Sequence, residues 1–511
     1  MDTAVAPTGA STAAVTHFDV LVIGAGISGI DAAYHLKTYM PERSFCVLES
    51  KDDFGGTWKT HTYPGIRSDS DLYTFGYSWK PWVGAPIATA PEILKYLTES
   101  IEEQGLGGYI RYRHKVRTAS WSSAEQQWRL LVDNLDTGEQ LTFTTGFLWM
   151  CQGYYDHDRP YTPQWPGMER YRGRIVHPQL WPEDLDYSDM KVLVIGSGAT
   201  AATIVPAMAG KCRHITMLQR SPTYFLPNPN VNELAEILRP LDIPDEWAHE
   251  IVRRKILLDQ EELTRRAREE PEAVKAELLA AAREFLGDDF DIARHFTPSY
   301  RPWQQRLAAI PDGDLFTGIR QGLASVVTDE IETFTEKGVL LKSGEELEAD
   351  LIVTATGFNL LVLGGIAFEV DGKAVDFADT VTWHGIMFSG VPNLAWVFGY
   401  FRASWTLRAD LIADILLRMF RHMDASGAAV VTPQLRQQDQ GMPLRPWIEA
   451  DNFNPGYLQR SMHLMPKQGD REPWLFTQDY WYEKDAFPAA SVDDGALHYS
   501  GRAGRLRRAP G

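Results

Sequence analysis

A chain of 511 residues, 44% hydrophobic and 23% charged, is long enough for two or three domains with large cores and is not a disordered chain. Fifty basic residues against 68 acidic ones leave a net charge of −18, which disfavours a nucleic-acid binder and offers no attraction to anionic lipid. Cys46, Cys151 and Cys212 are the only cysteines and are far apart, which argues against a disulfide scaffold, a zinc knuckle or a dithiol redox centre. A reducing, cytoplasmic compartment fits.

The first sixteen residues are rich in Ala, Thr and Ser, with an acid at position 2 and neither the basic nor the apolar region of a signal peptide. They read as a disordered lead-in. No segment reaches the roughly 18 uninterrupted apolar residues of a membrane span.

His17 to Ile23 is a compact apolar run that reads as a strand buried on both faces. A helical pattern over Gly26 to Leu36 and a second buried strand, Phe45 to Leu48, complete a βαβ unit. Gln127 to Val132 and Leu141 to Met150 read as strands that return the chain to a sheet. The βαβ pattern recurs with Lys191 to Ile195, Ala199 to Ala209 and Ile215 to Leu218. Asn232 to Leu286 is dense in Glu, Arg, Ala and Leu and reads as a helical insertion. Val339 to Thr356 reads as a hairpin and then a buried strand ending at Gly357. Ser404 is the expected N-cap of an amphipathic helix reaching Met423. Asp451 to Tyr482 looks like an irregular closing segment. Arg502 to Arg508, with four arginines, reads as a solvated tail.

Two glycine loops carry the first chemistry. Gly24, Gly26 and Gly29 fit GxGxxG, a pattern that 41 glycines in 511 residues would produce by chance about 0.26 times. Context sharpens it. The loop follows a buried strand, opens a helix, and is followed 20 residues later by Glu49. Glycines let the backbone approach a pyrophosphate, the helix start offers free N–H groups, and the acid grips a ribose diol. Gly196, Ser197, Gly198, Ala199, Thr200 and Ala201 form a second loop in the same context. There the following strand ends at Arg220 and Ser221, where an arginine can pair with a 2′-phosphate. A solvated arginine at a strand end is the plainer alternative. The first loop therefore suits FAD or NAD and the second NADP, and two dinucleotide sites imply hydride transfer from nicotinamide to flavin.

Tyr171, Gly173, His177, Trp181 and Pro182 form an aromatic-xGxxxHxxxWP pattern between the two loops. Composition gives it a chance frequency of roughly 2 × 10⁻⁴ per chain. It resembles the fingerprint of the Baeyer–Villiger monooxygenases, a family of class B flavoproteins, with Tyr171 in place of the usual Phe. The resemblance runs from about Phe18 to about Phe487. It looks closest to the ethionamide-activating branch, through Gly55 to Trp82, Gln219 to Tyr224, Asp350 to Asn359, Ala403 to Leu411 and Leu464 to Trp474.

The resemblance implies two Rossmann-like α/β domains, for FAD and NADP(H). Residues 17–155 and 345–490 would form a discontinuous FAD domain. Residues 156–344 would form the NADP domain, with the insertion at about 230–295, and 491–511 a flexible tail. Ser28, Glu49, Gly56, Thr57, Trp58, Lys59, Thr60, Asp69, Val116, Thr356 and Gly357 would contact FAD. Arg67, Ser68 and Asp69 would lie where nicotinamide meets flavin. Residues 197–203, including Thr203, would hold NADP with Arg220 and Ser221. Arg306 matches the family's transition-state arginine, with Asp69 to orient it; as a bare pair they would read as an exposed salt bridge. Gln305 stands where many relatives have a base, which leaves more of the NADP preference to Arg220. His177 is expected to be structural, and Trp79, Trp82 and Trp405 to line a substrate entrance or pack the core.

The reaction implied is NADPH- and O2-dependent conversion of a ketone to an ester or lactone through a C4a-peroxyflavin, with thioethers as further substrates. A flavin N- or S-monooxygenase, a flavin-disulfide reductase and a silent nucleotide-binding regulator are the alternatives. The missing CxxC counts against the reductase, and Trp181-Pro182 against the N- or S-oxidising enzyme.

Overall fold

The computed structural model describes residues 15–501. Most of the lead-in and the arginine tail fall outside that range. Thr16, placed in the lead-in by its sequence, already belongs to the first strand.

The first unit opens with β1 (Thr16–Ile23), α1 (Ile27–Tyr39) and β2 (Phe45–Leu48). It continues through the short helices α2 (Thr57–Thr60) and α3 (Leu72–Phe75) and then α4 (Ala90–Glu103). β3 (Ile110–Arg111), β4 (His114–Ser122), β5 (Gln127–Asn134) and β6 (Gln140–Met150) follow. β1 pairs in parallel with both β2 and β6, so the strand order reverses at β1 and opens a crevice beyond its carboxyl end. Val20, Leu21 and Val22 are fully buried there, as an apolar strand covered on both faces should be.

The second unit is a parallel five-stranded sheet. Its elements begin with β7 (Arg174–Val176), β8 (Lys191–Ile195), α5 (Ala199–Met208), β9 (His214–Gln219) and β10 (Phe225–Asn228). α6 (Glu233–Leu238), α7 (Asp245–Glu269) and α8 (Pro271–Leu286) form the helical stretch read from the sequence. After α9 (Ile292–His295), β11 (Ala308–Pro311), α10 (Asp314–Arg320) and β12 (Ala324–Thr328), a three-stranded meander leads to Leu351–Thr354.

That last strand corrects the expected division. It falls within the 345–490 stretch expected to complete the FAD domain, yet it pairs with β8 on one side and β7 on the other. The chain leaves the second sheet only after Thr354. It rejoins the first at Ala367–Val370, which pairs with β4. The tail expected from 491 onward is also shorter, because Leu497–Ser500 pairs antiparallel with Val430–Pro433.

Two contacts set the units against each other. Arg67 donates to both Asp314 oxygens, at 2.5 and 3.2 Å, and to the Ala202 carbonyl of α5 at 3.4 Å. From α7, the buried Arg253 donates to the carbonyls of Tyr73 at 3.0 Å and Gly76 at 3.2 Å, at the open end of α3. The insertion thus spans the two units. In the closing segment, a helix over Trp405–Ser426 packs against α1. Ser404 stands at its N-cap, but its hydroxyl bonds Thr74 Oγ1 at 2.7 Å instead of the first turn's amides.

Candidate functional site

One cavity of about 880 Å³ runs along the carboxyl end of β1 and on toward the start of α5. Its floor is the first glycine loop. Gly24 has φ +101°, and a Cβ there would sit 2.8 Å from the Cys151 carbonyl oxygen. At Gly29 a Cβ would lie 1.8 Å from the Gly24 oxygen, so helix and strand close-pack only through glycine. Gly26 caps α1 without a side chain, leaving the first amides of that helix free to face an anion. Glu49 lines the cavity while only 7% exposed, and its Oε2 accepts from the Ala25 amide at 2.7 Å. The acid therefore both fixes the loop and borders the space where a ribose diol would lie.

Most of the expected FAD residues line this space: Gly24, Gly26, Ser28, Glu49, Gly56, Thr57, Trp58, Thr60, Ser68, Asp69, Val116 and Gly357. Lys59 does not; its ammonium turns outward to Asp53 at 2.8 Å. Arg67 does not either, because it is spent on Asp314. Thr356 donates its hydroxyl to the Tyr161 carbonyl at 2.6 Å, outside the cavity lining.

At the second loop, Gly198, Ala199 and Thr200 line the cavity. Gly196 has φ +127°, and a Cβ would fall 2.3 Å from the Ala355 carbonyl oxygen. Gly198 is different, since nothing lies within 4 Å of a Cβ built on it. That open cradle at the amino end of α5 is the room a nucleotide phosphate needs. Ser197 bonds Thr223 at 2.9 Å, Thr203 donates back to Ala199 at 2.9 Å, and Ala201 is fully buried, so these three support the loop. Arg220 and Ser221 stand exposed just beyond β9, outside the cavity lining.

Where the units meet, Arg306 and Asp69 come together across 237 residues. Arg306 Nη2 donates to Asp69 Oδ1 at 2.7 Å, and Nε donates to Oδ2. Nη1 donates to the Phe401 carbonyl at 2.8 Å, and Nη2 also reaches Ser70 Oγ at 3.2 Å. Burial by itself would pull the guanidinium's pKa down, but Asp69 more than reverses it and the net shift is upward. The cation is thus permanent.

Sequence reasoning missed the aromatic wall around it. Tyr154, Tyr457, Phe401 and Phe358 line the same cavity. Burial raises the phenol pKa of Tyr154 and of Tyr457, while the nearby Arg306 opposes it in both. Tyr154 lies in a YY pair just after β6, which was a readable clue; Tyr457 had none. Trp405 lines the cavity and donates to Ser28 Oγ at 2.8 Å, whereas Trp79 and Trp82 pack in the core.

None of the fingerprint residues lines the cavity, although His177 reaches the backbone of Gly357, which does. Tyr171 donates to the Ala349 carbonyl at 2.9 Å, and a Cβ on Gly173 would sit 2.3 Å from the Tyr171 hydroxyl. His177 Nδ1 accepts from the Gln179 amide at 3.1 Å, and burial lowers its pKa to about 4. It is a neutral structural histidine. Trp181 packs edge-on near Tyr187, at 6.4 Å between centroids, with Pro182 next to it.

Residues 22–82 match the NAD(P)-binding Rossmann-like domain, and residues 86–230 the flavin-binding monooxygenase-like family. The chain is 46% identical over 497 residues to the putative FAD-containing monooxygenase MymA of Mycobacterium tuberculosis, which covers 95% of this chain and 98% of that one. The chain belongs to the class B FAD-containing monooxygenases. The FAD-containing monooxygenase EthA of Mycolicibacterium smegmatis is 44% identical, over 95% of this chain and 97% of its own. This monooxygenase shares its fold with the oxidized steroid monooxygenase bound to NADP, at a TM-score of 0.73 and 22% identity over 95% and 99% of the two chains. It is an FAD-containing monooxygenase, and the two glycine loops and the open cradle at Gly198 fit FAD and a nicotinamide dinucleotide. Among the described residues, no helix is long and apolar enough to cross a membrane.

Proposed function

We propose that this monooxygenase is a Baeyer–Villiger enzyme that converts ketones to esters or lactones, and that thioethers enter the same cavity. The observation that carries this reading is the fixed guanidinium of Arg306 at the junction of the two units, braced by Asp69 and by the Phe401 carbonyl. Bound FAD, reduced by NADPH, would supply the chemistry of O2 activation. The chain supplies the rest.

Arg306 presents a cation where negative charge develops on the substrate oxygen, in a cavity walled by Tyr154, Tyr457 and Phe401. Asp69 holds the fork in plane through two charge-assisted hydrogen bonds. Ser70 offers a second acceptor, so the guanidinium can shift without losing every partner. The helix beginning at Trp405 opens onto the cavity and adds positive potential from its first amides. Gly26 and Gly198 leave the two helix starts open for pyrophosphate, and Arg220 is assigned the 2′-phosphate. Free, buried thiols at Cys46, Cys151 and Cys212 support a cytoplasmic setting.

The test is a turnover with NADPH and labelled O2 on a cyclic ketone and a thioether. One label atom in a lactone is the expected product. A protein that makes sulfoxide but no lactone is an N- or S-oxidising enzyme, and one that purifies without flavin is a regulator.

A further inference from the structure

Three arginines grouped behind Phe401, a residue of the cavity wall, form no ion pair among the described residues. Arg402 follows Phe401, whose side chain lines the cavity and whose carbonyl accepts from Arg306. Arg402 is only 8% exposed. Its Nε donates to the Trp303 carbonyl at 3.2 Å and its Nη2 to Asn452, at the carbonyl and at Oδ1 2.8 Å away. Arg301 converges on the same carbonyl, with Nη2 at 2.8 Å from Asp451 O and 3.5 Å from Asn452 O. The two guanidiniums are therefore neighbours.

Arg268, exposed near the end of α7, is the third. It lies close enough to depress the pKa of both others. Burial, then Arg268 and Arg301, bring Arg402 down to about 10, and burial followed by Arg268 lowers Arg301. The other arginines of this stretch are matched: Arg265 pairs with Glu262 and Glu269, and Arg266 with Glu277. Arg268, Arg301 and Arg402 form no ion pair among the described residues.

Two acids face the cluster without neutralising it. Asp479 raises Arg402, but its Oδ1 accepts from the Trp481 and Tyr482 amides. Asp451 raises Arg301, to which it gives only its backbone carbonyl. A chain with 18 more acids than bases has gathered three cations and left them unpaired. Clamping carbonyls explains Nε and Nη2 of Arg402. It does not explain Nη1, which bonds nothing among the described residues and is not sealed from solvent.

We infer that Arg268, Arg301 and Arg402 form an anion subsite behind the Phe401 wall of the cavity, and that it takes the carboxylate of an oxo-acid substrate whose ketone lies at Arg306. Arg301 has both Nη atoms on backbone carbonyls, so the donors left are single ones, Arg402 Nη1 foremost, each able to meet one carboxylate oxygen with charge assistance. Arg306 and the cluster are tied through one loop, since Trp303 bonds Arg402 while Arg306 bonds Phe401. This rests on the Baeyer–Villiger reading only for the ketone end.

The experiment has a binding arm and a turnover arm, both on the oxidised or turning-over holoenzyme. In calorimetry, decanoate is expected to bind about tenfold tighter than decanamide, the order of one charge-assisted contact. Arg268→Glu, on an exposed side chain, is expected to remove that difference without touching the fold; Arg301→Gln and Arg402→Gln should do the same. In turnover, methyl-ketone acids of increasing chain length are compared with their methyl esters. The acids should show a lower KM at one best length, and Arg268→Glu should raise the acid KM about tenfold while leaving the ester KM and the NADPH KM unchanged. Equal binding of decanoate and decanamide to the wild type overturns the subsite. A rise in the NADPH KM in place of the acid KM overturns the oxo-acid and assigns the cations to the nucleotide phosphate. If neither acid nor ester yields an ester product, the Baeyer–Villiger reading fails and calorimetry alone decides the subsite.

Discussion

Replacing Arg306 sets the catalytic role proposed for it against a purely structural one. Arg306 makes four contacts: two with Asp69, one with Ser70 and one with the Phe401 carbonyl. In Arg306→Ala all four are lost and Asp69 keeps its charge without a partner. The Asp69 side chain is 27% exposed, so water can solvate it, and the cost to folding is about 1 kcal/mol. Such a loss does not unfold a chain of this size, and the FAD loop does not depend on Arg306. For the reaction the loss is larger. A fixed cation at a developing oxyanion contributes about 10²- to 10³-fold in rate.

The expected variant is therefore yellow, oxidises NADPH, and releases hydrogen peroxide in place of ester. The assay is flavin absorbance after gel filtration, NADPH consumption, peroxide and ester, all on one preparation. Arg306→Lys sharpens it. An ammonium can reach Asp69, but it lacks the planar fork that bonds Asp69 and Phe401 together. Ester formation should remain more than tenfold down, by the same electrostatic argument. Ester at the wild-type rate in either flavin-loaded variant refutes the assignment.

Three further outcomes follow from the same geometry. Gly198→Ala should bind FAD normally and raise the NADPH KM, because its Cβ meets no protein atom within 4 Å and only fills the nucleotide's space; Gly29→Ala, with 1.8 Å to the Gly24 oxygen, should purify without flavin. Michaelis constants and flavin content decide, and equal flavin loss in both variants counts against it. Arg220→Ala should raise the KM for NADPH far more than for NADH, and equal effects would remove the 2′-phosphate from Arg220. His61 is buried and held at about 4 against an ordinary 6.5, by burial first and then by His157 and His177. The unfolded chain therefore takes up the proton first: stability is full above about pH 6.5 and falls by about 3 kcal/mol as pH drops toward 4. Denaturant unfolding of His61→Gln, which cannot titrate, should show a flatter acid limb, and an unchanged slope refutes it.

The two glycine loops were legible because their chemistry is local. A strand, a tight turn and a helix start lie within ten residues, and the glycines are forced by contacts such as Gly29 against Gly24. Leu351–Thr354 was legible as a buried strand but not as a member of the second sheet. LIVT would be equally content in either sheet, since its partners Val192 to Ile195 are far away in sequence and periodicity does not encode them. Arg67 shows the same limit. Its place beside Ser68 and Asp69 suggests the cofactor, while its partner Asp314 lies 247 residues on. At Ser404 the cap propensity was real, but a tertiary hydrogen bond to Thr74 took the hydroxyl. Asp69 and Arg306 were paired only through a resemblance; no spacing rule joins them.

That pairing explains why the domain contacts bear on catalysis. Asp69 comes from the first unit, Arg306 from the loop before β11 in the second, and Phe401 from the closing segment. The cation proposed for catalysis is therefore in register only when three stretches of chain are docked. Arg67 on Asp314 and Arg253 on the end of α3 hold that docking from two sides. Neither touches the cavity, yet a tilt of the second unit by one ångström would move Arg306 off Asp69 and Phe401 together. Misplacement on that scale costs about 10²-fold in rate. The positions that tune this enzyme thus lie at the unit boundary as much as at the flavin.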